Sequence, residues 1–437
     1  MKIFGILFLT IIILFTTCNT TEPPPEDTRK LTLTFEDASC IEAWINITTE
    51  NLQLPAAINI FINDSLSHIS ILNTQDSLLY IDSLLPNKTY TIQSFIHSTN
   101  QAELSSNELN FTTMDTTSHN FTFETYTFGV HSSSVLYDVA IIDENNIWAV
   151  GEIYLLDSLG NQDPQPKNAI KWNGTEWEVI RIPTRTFSGA VVSSQISTIF
   201  AFNKNDIWTF SIAGSYSYWN GIKWETEFVY EREGNGNKLW GTSSSDLYLV
   251  CNNGGITYYN GINWQKLISG TNLNINSIWG DYNEKNNMWE TLAVGGNILQ
   301  GTERIILKIN NTNQVEQIST GGTIEYPLSG VWFKDKIKYY ISGDGIYSTP
   351  SLVKQWQNLN LPNYYGFSIK GAALNDIIVG GGAGFIGHFN GYSWKNYLED
   401  ELNEITGNYF STAIKGNIIV AVGNTAEGKA IAVIGIR

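Results

Sequence analysis

Residues 382–387 read GAGFIG and satisfy G-x-G-x-x-G, the spacing with which a strand-turn-helix unit cradles a pyrophosphate at a helix N-terminus. The apolar run DIIV at 376–379 even supplies the strand. The next residues, HFNGYSW, read as a hairpin and not as a helix, so that geometry is not expected. The five histidines, His68, His97, His119, His131 and His388, have no metal-ligand spacing among them. No two aspartates stand two apart, which removes the D-x-D pair that a nucleotide-sugar transferase uses to hold its metal. The oxygen-rich stretches DSLGNQD at 157–163 and DYNEKNN at 281–287 lack the D-x-D-x-D-G pattern and closing Glu of a calcium loop. Beyond Cys18, only Cys40 and Cys251 remain, far apart and expected as buried thiols rather than a disulfide framework. The sequence therefore predicts no catalytic residue, no metal site and no cofactor, and it leaves the ligand-binding residues unknown.

A second group of residues repeats. AIKWNGTEWEVI at 169–180 comes back as YSYWNGIKWETE at 216, ITYYNGINWQKL at 256 and IGHFNGYSWKNY at 386. Two aromatic rings beside a polar turn suit either a platform for a sugar ring or the packing of a repeated fold. Asn-Gly between alternating apolar runs predicts a two-residue type I′ turn at Asn173 and Gly174. That register sets Trp172 opposite Thr175 and Ile170 opposite Trp177, and leaves the two indoles as a diagonal pair on one face. Recurrence in successive units favours a seam between repeats over a sugar site.

The elements that carry the phrase are short strands. An apolar pair after Asn or Asp recurs in NNIWAVG, NDIWTF, SDLYLVC, ETLAVGG, NDIIVGG and GNIIVAVG, mostly with another strand ahead of it, as in NKLWGTS, INSIWGD, LSGVWFK and GFSIKGA. Seven units begin near 136, 196, 238, 275, 328, 367 and 411. Four short strands in roughly 40 to 45 residues is the period of a β-propeller blade. The last unit holds three strands, and NFTFETYTFG at 120–129 is a strand without a hairpin partner; it is expected to pair with the last unit and close a ring over 120–437. The long connection at 152–168 outgrows its repeat and is the best candidate for a ligand-contacting loop.

Ahead of the array, residues 31–114 show six β-rich runs split by turn residues, which suits a two-sheet sandwich. Trp44 and LLPNKTY, with Leu84, Pro86 and Tyr90, resemble the L-x-P-x-x-x-Y element of fibronectin type III domains. The resemblance implies Trp44 as a core plug and a Tyr90 hydroxyl that bonds back across a corner. Residues 1–17 carry one Lys, an apolar run too short for a comfortable membrane span and then small polar residues, the order of a secretory signal. LFTTC resembles a bacterial lipoprotein signal, which implies lipid attachment at Cys18, and the Pro-rich 18–30 then forms a stiff tether. Asn19 after the Cys favours the outer membrane under the enterobacterial sorting rule.

NNIWAVGE, and VWF followed by ISGDGIY, are similar to bacterial propellers related to photosystem II assembly factors and two-component sensors. The order of signal, Cys, fibronectin-like module and propeller resembles envelope lipoproteins of Bacteroidota-like bacteria. A net charge of -17 repels phosphate backbones and argues against nucleic acid as a partner. The expectation is an all-β chain, a fibronectin-like sandwich followed by a seven-bladed propeller, anchored in the cell envelope through Cys18. It would bind a protein or glycan ligand without catalysis. A glycan-active enzyme is the alternative, and it would need a privileged pair of carboxylates that the sequence does not display.

Overall fold

The computed structural model describes residues 27–437 apart from 98–102, 131–132, 285–286, 299–300, 335–336, 362–364 and 403–406. The expected signal segment, Cys18, most of the tether and His131 lie outside the described residues. No described helix is long and apolar enough to cross a membrane.

The chain is all-β, and its dominant feature is a succession of four-stranded antiparallel sheets joined in chain order. The first consists of Val135–Asp143, Asn146–Ile153, Lys167–Trp172 and Trp177–Ile180. Five more come after it, with first strands Ile196–Asn203, Gly236–Ser243, Ile275–Asn283, Leu328–Lys334 and Gly366–Ala373. The seventh has three strands from the C-terminal segment, Gly407–Lys415, Ile418–Thr425 and Ala430–Ile436, and takes its fourth from Thr122–Phe128. Register there runs without interruption from Ala430 opposite Phe128 to Ile436 opposite Thr122. The first strand of each sheet contacts the first strand of the next, and that of the seventh contacts that of the first, so the succession is cyclic.

Stacking on both sides explains the apolar runs. Second strands lie between two neighbouring sheets and are buried on both faces: Ile147, Ala149 and Val150 are fully buried, as are Leu247, Leu249 and Val250. A strand covered on both faces reads as a continuous hydrophobic stretch and not as an alternation.

Every first strand also carries a β-bulge near its start. The register skips Tyr137, Ser197, Asn237, Asn276, Ser329, Phe367 and Phe410, one residue in each sheet. The partner of the residue just before the bulge is a glycine at or near the end of the second strand in five sheets: Gly151, Gly295, Gly343, Gly381 and Gly423. A Cβ on Gly151 would lie 2.0 Å from the Val135 carbonyl oxygen, and one on Gly423 1.7 Å from that of Asn408. The V-G ending is thus a clearance requirement opposite the bulge. In the third sheet Cys251 holds that place and the glycine moves across the ladder to Gly236.

The repeated Asn-Gly phrase does not form the expected turn. Trp172 pairs directly with Trp177, so the loop is four residues long, and positive φ occurs at Gly174 (100°) but not at Asn173. A type I′ turn needs positive φ at both central positions. Here the Asn173 side chain closes the loop, its Oδ1 accepting from the amides of Thr175 (2.9 Å) and Glu176 (3.0 Å). Asn220, Asn260 and Asn390 do the same in their sheets. An Asx-type closure competes with the backbone turn. The one-step shift tightens the aromatic pair, since directly opposed residues share a face: ring centroids are 5.5 Å apart for Trp172–Trp177, 5.6 Å for Trp219–Trp224, 5.1 Å for Tyr259–Trp264 and 5.1 Å for Phe389–Trp394.

These pairs sit at seams. Trp172 and Trp177 join a buried cluster that includes Val420, Ala432 and Tyr126 of the seventh sheet. Trp219 and Trp224 pack with Trp148 and Val150 of the first. Trp177→Ala is expected to lower stability by about 2–3 kcal/mol, below the usual range for a buried Trp because Trp177 is half-buried. Chemical denaturation checks the loss, and unchanged stability with lost ligand binding would reverse the assignment.

Two smaller sheets precede the array. One orders Lys30–Ala38, Ala43–Glu50 and Asp76–Ile81; the other orders Ser65–Leu72, Ala56–Ile62, Thr89–Ile96 and Leu104–Ser105, with Leu109–Thr112 also on Thr89–Ile96. The chain divides into two compact units, and 35–45 and 78–91 group with 110–437 rather than with the rest of these sheets. Within that larger unit, the Tyr90 hydroxyl accepts from the Leu85 amide at 2.9 Å. Trp44 is fully buried in a cluster that also holds Trp332, Tyr340 and Val379.

Candidate functional site

The ring of first strands places equivalent residues of all seven sheets around one axis. The bulged residues form one layer near the start of the first strands. Polar ones stitch neighbouring sheets: Ser197 Oγ donates to the Gly236 carbonyl (2.7 Å), Asn237 Nδ2 to that of Ile275 (2.9 Å) and Asn276 Nδ2 to that of Leu328 (2.7 Å). Aromatic ones stack, with ring centroids 5.9 Å apart for Tyr137–Phe410 and 5.1 Å for Phe367–Phe410.

The next residue inward in the first sheet is Asp138, whose carboxylate is buried. Oδ2 accepts from Thr198 Oγ1 (2.8 Å) and the Ile199 amide (3.0 Å); Oδ1 accepts from Lys238 Nζ (2.5 Å) and Ser411 Oγ (2.7 Å). One side chain therefore ties the first sheet to the second, third and seventh. Burial alone would raise its pKa, but the Lys238 ammonium and the hydrogen-bond donors outweigh burial and hold the carboxyl below its usual range.

Past this layer lies a cavity of about 190 Å³. Its lining begins at Lys238 in the Asp138 layer and at Val139, Ile199, Leu239 and Thr412 one residue beyond it, and ends at Ile141, Gly371 and the exposed Lys415. The walls are the aromatic faces of Phe200, Trp240 and Trp279 together with Ala140 and Ala413. Lys370 stands in the same register as these tryptophans, and its Nζ lies 4.6 Å from the centre of the Trp279 ring. Burial, then the nearby Lys238 ammonium, lower the Lys370 pKa to about 7, with Asp138 pulling the other way. Three lysines and no carboxylate line the cavity among the described residues. Such a space can seat a small apolar group and present a cation to it.

The residues that the sequence singles out fall elsewhere. GAGFIG connects the strands Asp376–Gly381 and Ile386–Phe389, with positive φ at Ala383 and Gly384, so the element that follows it is a strand and not a helix. Cys251 is fully buried with its thiol raised to about 12 by burial, and Cys40 is buried with its thiol raised to about 11. Both are free thiols. In the loop at 152–168 the acidic side chains close turns, Asp157 Oδ1 accepting from the Leu159 and Asn161 amides and Asp163 pairing with Arg181. Among the described residues no group of three potential metal ligands occurs.

Sequence reasoning missed one constellation, because its members lie 269 residues apart. His388 is fully buried, with Nε2 2.8 Å from Asp376 Oδ1 and Nδ1 2.8 Å from His119 Nδ1; His119 Nε2 reaches the Ser393 hydroxyl at 3.2 Å. Arg437 donates to both oxygens of Asp376, at 2.9 and 2.7 Å, and to the Ser118 carbonyl. Because two imidazoles share one Nδ1–Nδ1 hydrogen bond, one of them must accept, and a second proton breaks the link. Burial, then His388 and Lys395, lower the His119 pKa to about 4. A folded-state pKa below the unfolded value of about 6.5 means that the unfolded chain binds the proton first. Stability is then complete above about pH 6.5 and falls as pH drops towards 4. Discounted for the partial exposure of His119, the loss is about 1–2 kcal/mol. Melting curves at pH 7.5, 5.5 and 4.5 are expected to show a smaller acid-induced decline for His119→Gln than for the parent chain.

No protein-family model matches the chain, and no curated protein matches it in sequence. Solved structures do match its fold. That of YCF48 bound to D1 peptide is 15% identical and aligns over 74% of this chain and 99% of its own, with a TM-score of 0.53. The WD40 propeller domain of Doa1 is 12% identical over 73% of this chain and 97% of its own, with a TM-score of 0.52. U3-55K is 10% identical over 72% and 98%, with a TM-score of 0.50. At these identities the likeness concerns the fold alone, and that fold is a β-propeller.

Proposed function

We propose that the chain is a lipid-anchored cell-envelope protein, held through Cys18 at the outer membrane, whose propeller binds a protein or glycan ligand and performs no chemistry of its own. In this reading 31–114 is a fibronectin type III-like module, and the seven sheets are seven blades closed by the strand at 122–128. The Tyr90–Leu85 hydrogen bond favours the fibronectin-like assignment. Uninterrupted pairing of Thr122–Phe128 with the last strand, together with the cyclic contacts of the first strands, favours closure at seven.

The central cavity is the observation that carries the binding role. It is aromatic, cationic and lined by no carboxylate among the described residues. A glycosidase needs two carboxylates at a fixed separation. Here the nearest buried acid, Asp138, has both oxygens occupied by Thr198, Ile199, Lys238 and Ser411. The WD40 neighbour and YCF48, whose structure contains a bound peptide, are compatible with a protein ligand here.

Affinity capture of the intact chain from cross-linked envelopes, run beside a glycan array, tests the reading. Retention of a defined protein or glycan is expected, and it should disappear when the cavity is altered at Trp279. Glycan turnover by purified chain would replace the binding role with an enzymatic one. Metabolic labelling with a fatty acid tests the anchor: label that persists in Cys18→Ser would remove it.

A further inference from the structure

We propose that the central cavity is a receptor for a carboxylate attached to an apolar body, with Lys370 as the group that receives the carboxylate. The inference rests on the reading of the propeller as a binding module and adds the chemistry of what it binds.

Charge balance at the axis carries the argument. Lys238 is paired with Asp138 at 2.5 Å, and Lys415 donates to the Ile142 carbonyl at 2.9 Å. Lys370 faces the ring of Trp279, and among the described residues no carboxylate or carbonyl accepts a hydrogen bond from it. The Asp138 layer and the cavity beyond it thus hold one carboxylate and three ammonium groups, within a chain whose overall charge is -17. A cation withdrawn from water without an anion is costly unless something neutralises it. A ring face compensates a desolvated ammonium only in part.

Geometry narrows the class. A ligand entering past Ile141, Gly371 and Lys415 meets Phe200, Trp240 and Trp279 along its length before the Asp138 layer stops it. An anion without an apolar body would leave those rings uncovered, and an apolar body without an anion would leave Lys370 uncompensated. The depressed pKa of Lys370, about 7, fits a site that waits for its counter-ion, and a bound carboxylate would draw it back up. Lys370 occupies the register position at which Trp240, Trp279 and Trp332 stand in three other sheets. Of the seven equivalent positions four are aromatic, Phe200, Trp240, Trp279 and Trp332, two are Ala140 and Ala413, and Lys370 alone is charged.

The chemistry could come from a small free acid or from the C-terminus of a peptide, and the test separates the two. The full chain in detergent is titrated calorimetrically with 3-phenylpropionate and with its amide, then with a hexapeptide ending in Phe as free acid and as C-terminal amide. At least one acid is expected to bind tenfold or more tightly than its amide. Lys370→Met should erase that difference, and Lys370→Arg should keep most of it. Binding of the small acid names a free carboxylate as the ligand class; binding of the peptide acid alone names a chain terminus. Lys370→Met removes a partly buried ammonium that has no counter-ion, so its melting temperature should equal or exceed that of the parent, which excludes misfolding as the reason for lost binding. Equal affinity for acid and amide, or an acid affinity unchanged in Lys370→Met, overturns the proposal. A partner captured from envelopes with equal yield by Lys370→Met also overturns it, while leaving the binding role of the propeller standing.

Discussion

Replacing residues 120–128 by a Gly/Ser stretch of the same length is expected to abolish cooperative unfolding and drive the chain towards aggregation. The replacement keeps the connection but removes the fourth strand of the seventh sheet, and with it seven register pairs. Four aromatic rings go too. Tyr126 and Phe128 pack against Trp172 and Trp177 of the first sheet, while Phe123 packs against Tyr397 of the sixth and Phe121 against His388 and Tyr397. At about 1.5 kcal/mol each, the low end for partly exposed rings, the four contribute roughly 6 kcal/mol. That is comparable with the entire net stability of an ordinary domain, about 5–15 kcal/mol, before the lost backbone pairing is counted. The exposed edge of Ala430–Ile436, AIAVIGI, is apolar and β-prone, which invites pairing between chains. Differential scanning calorimetry and light scattering check both effects, and a synthetic 120–128 peptide added in trans should restore part of the transition. A variant that melts within a few degrees of the parent would mean that the ring closes without this strand.

The strand framework was legible because a covered strand must be apolar whatever its neighbours are. NIWAVG, DLYLVC and DIIVGG announce second strands, and the glycine that ends most of them is forced by the bulge opposite it. The turn differs from its expected register by one residue because the side chain of Asn173 closes it, and an Asx closure has the same sequence signature as the backbone turn it displaces. The cavity was invisible for a different reason: its wall takes two to four residues from each of six sheets, spaced by the repeat and not by any motif. A trace was present nonetheless. GFSIKGA holds a lysine where NKLWGTS, INSIWGD and LSGVWFK hold a tryptophan, and aligning the units on their first strands isolates Lys370. Nothing comparable points from His119 to His388, since only ring closure brings them together.

Asp138→Ala should cost about 3–5 kcal/mol, the range for removing one partner of a buried ion pair. The side chain joins four sheets through Thr198, Ile199, Lys238 and Ser411, and its loss leaves the Lys238 ammonium buried beside Lys370 with no counter-ion. Asp138→Asn separates the two contributions. It keeps the size and some of the hydrogen bonds but not the charge, so it should remain nearly as damaging if repulsion between the ammonium groups dominates. Adding Lys238→Met should then recover much of the loss, and a double-mutant cycle gives the coupling directly. Acid provides an independent check. The folded carboxyl titrates below its unfolded value of about 3.9, so its contribution is complete above that pH and is lost as pH falls through the folded pKa. The parent chain should therefore lose stability below about pH 4 more steeply than Asp138→Asn. If Asp138→Asn instead shifted the unfolding free energy by less than about 1 kcal/mol and Lys238→Met added nothing, the carboxylate would not be holding the ring. It would then be available to a ligand, and the case against a carboxylate-dependent enzyme at the axis would lose its main support.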